Sequence, residues 1–124
     1  MGFRLFILIL VSVALSSIAQ VILKSGMGSA TSQIDFAVDG QILVGIKVLT
    51  NPIVIAGLLL YGLGAVLWLT VLARLDVSQA YPFVGLGFIF TMMLGYLVLG
   101  EHVGFQRVVG TMLIAAGVVL VARS

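Results

Sequence analysis

The sequence predicts an all-α membrane protein with four transmembrane helices and a short interfacial helix in the first loop. Three observations carry that prediction. The 124 residues are 62% hydrophobic and only 8% charged, where a soluble domain carries roughly 25% charged residues. Four long apolar runs occur, near residues 5–23, 52–73, 79–99 and 105–122, each about one bilayer thickness as a helix. The segments between the last three runs are too short for anything but turns. The whole chain, 1–124, reads as a single four-span domain.

Composition also excludes functions. There is no cysteine, so there is neither a disulfide framework nor a thiolate metal site. A net charge of +2 is too small and too scattered for nucleic-acid binding. No carboxylate pair, Ser/His/Asp set or phosphate-cradling glycine loop appears, and a lone His102 near a span end reads as a solvated polar residue. The expectation is a protein that is not an enzyme and uses no cofactor and no metal.

The first run, Leu5–Leu23, follows Arg4 and precedes Lys24. Arg4, the apolar stretch and Ser17-Ile18-Ala19 also fit a secretory signal with a small-x-small cleavage site. The run continues through Leu23, the remaining chain is itself a membrane protein, and Lys24 fits an interfacial anchor. An uncleaved span is therefore expected. Ser16, Ser17, Gln20 and Lys24 fall on one helical stripe. A glutamine inside a span needs a hydrogen-bonding partner, because no water is at hand. The stripe is either interhelical glue or the wall of a cavity for a polar ligand.

Ser25–Gly40 is rich in Gly, Ser and Thr and reads as a loop. Gln41–Thr50 is too short to span, so an interfacial helix is expected, with Lys47 reaching the headgroups. Asn51-Pro52 opens the second span, with Pro in a tolerated first-turn position. Gly57, Gly62 and Gly64 invite close helix approach. Trp68 fits either an interfacial anchor or a wall of a substrate groove. The short Arg74–Val77 link predicts antiparallel neighbours on either side of it.

The third run, with Ala80–Glu101 as the stretch around which the other spans assemble, has no charge before Glu101. Pro82 falls near its first turn, where a kink is not required, and Gly85, Gly87 and Gly95 again invite close packing. Glu101 is expected to cap the span, to pair with Arg107, or to titrate. In the last span Gly110 and Gly117 stand seven apart with Ala116 beside the second, a small-residue face suited to contact between protomers. An even number of spans places Arg4, Arg74 and Arg123 on one face and Lys24, Lys47 and Arg107 on the other. That balance gives no firm orientation and leaves dual insertion open.

Several motifs now combine. Leu58–Asp76, then VSQAYPFVGLGFIF, LGYLVLGE and GTMLIAAGVVLVARS, together with SSIAQVILKSG in the first span, resemble a single EamA-type repeat. That is the drug/metabolite transporter superfamily, which includes the small multidrug resistance exporters. Gln20, Lys24, Val66-Leu67-Trp68-Leu69 and Ala80-Tyr81-Pro82 are similar in particular to small four-span subunits that flip undecaprenyl phosphate-aminoarabinose. One departure separates the relatives. The multidrug exporters carry an acidic residue inside the first span, and aligned on Lys24 that position is Ser16 here. Without a carboxylate there, proton-for-drug exchange of that type lacks its titrating group.

The resemblance implies a bacterial inner-membrane transporter or flippase. Its substrate would be a polyprenyl-phosphate-linked sugar or a related lipid, moved by alternating access. The alternatives are a proton-coupled exporter relying on Glu101, and a non-transporting subunit that stabilises a partner. The expected substrate-binding set is Ser16, Ser17, Gln20, Lys24, Tyr61, Trp68, Tyr81, Glu101 and Arg107. Gly110, Ala116 and Gly117 form the expected dimer contact, in a homodimer or a heterodimer with a similar four-span chain. Membrane lipids are the other expected partners.

Overall fold

The computed structural model describes residues 2–35 and 37–124. Phe36, within the first loop, lies outside the described residues. The elements are α1 (Phe3–Thr31), α2 (Gln41–Leu49), α3 (Pro52–Leu72), α4 (Val77–Ala80), a 3-10 turn (Tyr81–Val84), α5 (Gly85–Val98) and α6 (Phe105–Ala122). Among the described residues there is no strand. Among the described residues four helical stretches are long and apolar enough to cross a membrane: α1, α3, α6 and the run Val77–Val98 that joins α4 to α5.

The first helix is longer than its apolar run. It has 29 residues, about 43 Å at 1.5 Å per residue, against a hydrocarbon core of about 30 Å. Lys24 lies inside it rather than closing it, and Ser25–Thr31 is helical where composition predicts loop. Packing explains the correction. Gly26 and Ala30 are buried, and a Cβ on Gly26 would meet the Val54 backbone nitrogen at 2.8 Å. Asn51 Nδ2 reaches Ser29 Oγ at 3.5 Å. A helical α1 can take α3 against these small residues, which outweighs the poor helix propensity of glycine.

That same helix, not the third crossing, is the centre of the fold. It packs along α3 most extensively and along α5 next, and it also touches α2 and the 3-10 turn. Gly57 and Gly64 continue the α1–α3 seam: added Cβ atoms would lie 2.8 Å from Leu23 and 3.2 Å from Ser16 Oγ. Gly62 faces open space and has no part in it. Gly85 seats α6, with Ile114 at 2.9 Å and Val118 at 3.0 Å from a Cβ there. Gly87 faces α1 through Val13 and Ser17.

Serines lock these seams. Ser12 Oγ donates to Gly64 O at 2.8 Å, tying α1 to α3. Ser17 Oγ donates to Gly87 O at 3.3 Å, tying α1 to α5, and also to Val13 O at 3.0 Å. Such intramembrane bonds average about 0.6 kcal/mol each, but burying the hydroxyls unpaired would cost more.

Consecutive helices α3 and α5 barely touch, despite the short link between them. Both lean on α1 instead, and a wedge stays open between them. Pro82 sits well inside the third crossing, where the helix tightens into the 3-10 turn. Proline has no N–H to continue the α-helical ladder, so the tighter turn carries the chain past it.

The apolar core collects Ile9, Val13, Val71, Ala80, Phe83 and Val118, with Leu5, Leu75 and Ala122 packed against it. The sequence neighbours of Arg4, Arg74 and Arg123 therefore meet at one end. At the other end Asn51 caps α3, accepting from the Ile53 and Val54 N–H groups at 3.0 and 3.3 Å. Asn51→Ala should cost about 1 kcal/mol, read as a lower midpoint in detergent unfolding. An unchanged midpoint would show that the cap contributes nothing.

Lys47 does not extend to the headgroups alone. Its Nζ lies 2.8 Å from Asp39 Oδ2 and donates to Gln33 O at 3.1 Å, strapping α2 to the loop. The opposite side of α2 is apolar and exposed through Ile42, Ile46 and Leu49, the side that suits an interfacial position. The hydrogen bond from Lys47, then one from the Asp35 backbone, holds the Asp39 carboxyl below its ordinary range. A depressed carboxyl contributes stability above its unfolded value and loses it as pH falls through the folded value. The strap should therefore hold at neutral pH and release only in acid. Protection of the amides in residues 37–47, taken relative to the intrinsic exchange rate at each pH, should fall below the ordinary carboxylate range, and in Asp39→Asn it should already be low at neutral pH. Protection that does not change with pH would contradict the strap.

Candidate functional site

The wedge between α3 and α5 forms a cavity of about 480 Å³. Its back wall is the polar stripe of α1: Ser12, Val13, Ser16, Ser17 and Gln20. One side is Tyr61, Ala65 and Trp68 from α3; the other is Tyr81 and Val84 from the 3-10 turn with Gly87, Phe88 and Thr91 from α5. The fold positions each group. The serine bonds hold α1 at fixed depth against both flanking helices, and Trp68 packs on the core cluster behind it. Tyr61, Tyr81, Phe88 and Gln20 are exposed and ring the mouth.

The two readings of the stripe divide along it. Ser12 and Ser17 are buried and bonded across helix seams, while Ser16 Oγ returns to Ser12 O at 3.1 Å within α1. Gln20 faces the cavity, and none of the hydrogen bonds among the described residues engages its amide. The cavity lining is uncharged throughout: hydroxyls, one amide, aromatic faces and small apolar groups. Such a lining can bind a neutral polar group between aromatic walls.

Of the residues singled out from sequence, Ser16, Ser17, Gln20, Tyr61, Trp68 and Tyr81 come together here. Glu101 and Arg107 lie in a second cavity of about 230 Å³, with Phe88, Thr91, Met92, Val103 and Thr111. Phe88 and Thr91 belong to both cavities and form their shared wall. Lys24 is exposed and lines neither. The expected Glu101–Arg107 ion pair is absent: among the described residues the one pair within 4.0 Å is Lys47–Asp39. Gly110 and Gly117 face open space, and Ala116 is exposed about a third of a turn away.

Sequence reading missed Ser12 and Thr91. Ser12 was detectable, because it extends the Ser16, Gln20 spacing one turn toward the N-terminus. Thr91 gave no comparable signal, since its place depends on how α5 docks against α1. Among the described residues no group of three or more acidic, histidine or cysteine side chains could hold a metal.

Four apolar helices, three of which line an uncharged polar cavity, define a polytopic membrane protein with a candidate site among its spans. Residues 3–123 match the EamA-like transporter family, and the chain belongs to that family. Curated relatives share about half of it. A probable 4-amino-4-deoxy-L-arabinose-phosphoundecaprenol flippase subunit ArnE from Pseudomonas fluorescens Pf-5 is 39% identical over 62 residues, 50% of this chain and 54% of that protein. Probable ArnE subunits from Pseudomonas aeruginosa UCBPP-PA14 and Pseudomonas savastanoi pv. phaseolicola are 42% identical over 67 residues and 44% over 62. The first match covers 54% of this chain and 58% of the relative, the second 50% and 54%. The chain thus spans little more than half the length of the curated relatives it matches. No solved structure matches. The family and the four apolar helices make this a multi-pass protein of the bacterial inner membrane.

Proposed function

We propose that the chain translocates a polyprenyl-phosphate-linked sugar, or a related lipid, across the inner membrane. It is not an enzyme in this reading. The observation that carries it is the uncharged cavity among the apolar helices, onto which the Gln20 amide opens with no hydrogen-bond partner among the described residues. A hydroxylated head group would satisfy that amide and stack on Trp68, Tyr61 and Tyr81, while its tail stays in lipid. Crossing would be costly without such a polar path. The relatives' names support the same substrate class. A proton-coupled exporter is favoured by one observation, the carboxylate of Glu101 in the adjoining cavity.

The relatives are called subunits, and α6 supports a partner here as well. Its main packing among the described residues is on α5 and the 3-10 turn, and most of its apolar surface is left uncovered. A second chain, identical or similar, would lie against Gly110 and Gly117. Gly110→Leu with Gly117→Leu should yield monomers in detergent with all four helices inserted. A double variant that associates normally would remove α6 from the interface.

Purified protein in liposomes tests the function. Movement of a fluorescent polyprenyl-phosphate sugar between leaflets is the expected result. Solute flux driven by a pH gradient, with no lipid movement, would replace it with the exporter. Neither activity, with stabilisation of a co-expressed subunit, would support the third reading, an accessory chain.

A further inference from the structure

Helix contacts fix the depth of each crossing. α1 and α3 run antiparallel in register, with Ser29 beside Asn51, Gly26 beside Val54, Leu23 beside Gly57 and Ser16 beside Gly64. α5 joins them at Gly87, which faces Val13 and Ser17, and α6 returns with Ile114 and Val118 against Gly85. In this register the two halves of the bundle differ. Toward Arg4, Ile9, Val13, Val71, Ala80, Phe83 and Val118 form one packed cluster, each no more than 5% exposed. With Leu5 beneath it, the cluster fills about 12 Å along α1. The mid-span cavity ends on it, because Val13 belongs to the cluster, Trp68 packs against it, and both line the cavity. Toward Lys24, the buried hydrophobic residues among those described are Ala19, Ala30 and Val54, and none belongs to that cluster. On that side Phe88 and Thr91 also border the second cavity, which carries the polar lining on to exposed Glu101 and Arg107 at the turn between α5 and α6.

We propose that the cluster around Phe83 is the closed gate of the mid-span site, and that the site stands open only toward the Lys24 end of the bundle. The inference rests on the reading of that cavity as the translocation site. A polar head group cannot enter a close-packed apolar plug without losing its hydrogen bonds. Phe83 is the largest fully buried side chain among the described residues, so it closes most of that space. It also sits on the least regular backbone of the crossings. Tyr81–Val84 is a 3-10 turn, where Pro82 has no N–H to give. Hydrogen bonds in such a turn are poorly aligned, and a stretch of it inside a helix suits a hinge. Ile9 and Val71 lie instead within long unbroken helices that the Ser12–Gly64 bond ties together. Opening toward the Arg4 end requires the 3-10 turn to carry Phe83 out while α1 and α3 stay joined.

The chain has no cysteine, so introduced thiols report the path. A thiol reacts as its thiolate, which apolar burial suppresses. The full-length protein would be exposed briefly to a membrane-impermeant maleimide in spheroplasts and in inverted vesicles, which present opposite faces. Intact mass after purification counts the labels on each molecule. Thr91→Cys marks the cavity wall. Gly28→Cys, with nothing within 4 Å, marks the Lys24 end, and Ser124→Cys marks the Arg4 end. Counting per molecule makes the result independent of which way a chain is inserted. Molecules with Thr91→Cys and Gly28→Cys should carry two labels or none. Molecules with Thr91→Cys and Ser124→Cys should carry a single label. Adding Phe83→Ala to the second pair should shift every molecule labelled at its Arg4 end from one label to two.

Thr91→Cys labelled together with Ser124→Cys while Phe83 is intact would overturn the gate. So would Thr91→Cys left unlabelled beside a labelled Gly28→Cys, or a Phe83→Ala chain that stays closed from the Arg4 end. The two pairs need no change at Phe83, so they decide the sidedness even should Phe83→Ala fail to insert. No substrate enters these measurements. A chain that labels as expected yet moves no lipid would defeat the translocation reading alone, and one that moves lipid with the opposite labelling would defeat the gate alone.

Discussion

Gly26→Ala should separate the C-terminal end of α1 from α3 and destabilise the protein by about 1–3 kcal/mol, the usual range for overpacking a tight contact. The obstacle is backbone. A Cβ at Gly26 would lie 2.8 Å from the Val54 nitrogen and 3.2 Å from the Ile53 carbonyl carbon. Neither can rotate away, and Val54 N–H is already committed to the Asn51 cap. By contrast, a Cβ at Gly57 would meet side-chain atoms alone, Leu23 Cγ and Cδ2 at 2.8 Å and Ile22 Cγ2 at 3.2 Å, and no backbone. Gly28 is the internal control. It lies in the same helix with nothing within 4 Å, so Gly28→Ala should be neutral or stabilising by about 0.4–1 kcal/mol. Denaturant unfolding of both variants in one detergent makes the comparison. Equal midpoints would mean that this seam does not hold α1 to α3.

Ala65→Phe should abolish most transport while the helices remain packed. Ala65 is exposed and points into the mid-span cavity between Tyr61 and Trp68. A phenyl ring there would occupy volume a head group needs, without entering a helix seam. A clash of about 1–3 kcal/mol against the ligand corresponds to roughly ten- to a hundredfold in affinity. Ala65→Ser keeps the space and should transport normally. Leaflet-to-leaflet movement of the lipid probe, with helical content and elution unchanged, is the measurement. A Phe variant that transports at the wild-type rate would show that the substrate does not pass through this cavity.

The two variants also mark which parts of the molecule were legible in one dimension. Hydropathy revealed four crossings, because a bilayer demands length and apolarity from each helix separately. The Asn51-Pro52 break revealed the start of α3, because proline in a first turn is local chemistry of a few residues. The 3.6 period placed Ser16, Ser17 and Gln20 on one stripe, and Tyr61, Trp68 and Tyr81 proved to share their cavity. The length of α1 was not legible. Ser25–Thr31 has the composition of a loop and becomes helix because α3 covers Gly26 and Ala30.

What the sequence by itself determined was therefore an inventory: a membrane protein, four helices, a polar stripe within the first, and charges at the ends. Those properties depend on single segments and the solvent each one meets. Only the tertiary structure decided that α1 is central and that α3 and α5 both lean on it and stay apart. It also decided that the resulting wedge is a cavity lined by Ser12 and Thr91 as well. Likewise, only the fold moved Glu101 and Arg107 into a second space and left Lys24 out of both. Which faces meet depends on where small residues on one helix find backbone on another. That complementarity belongs to pairs of segments far apart in the chain, and no periodicity within either segment records it.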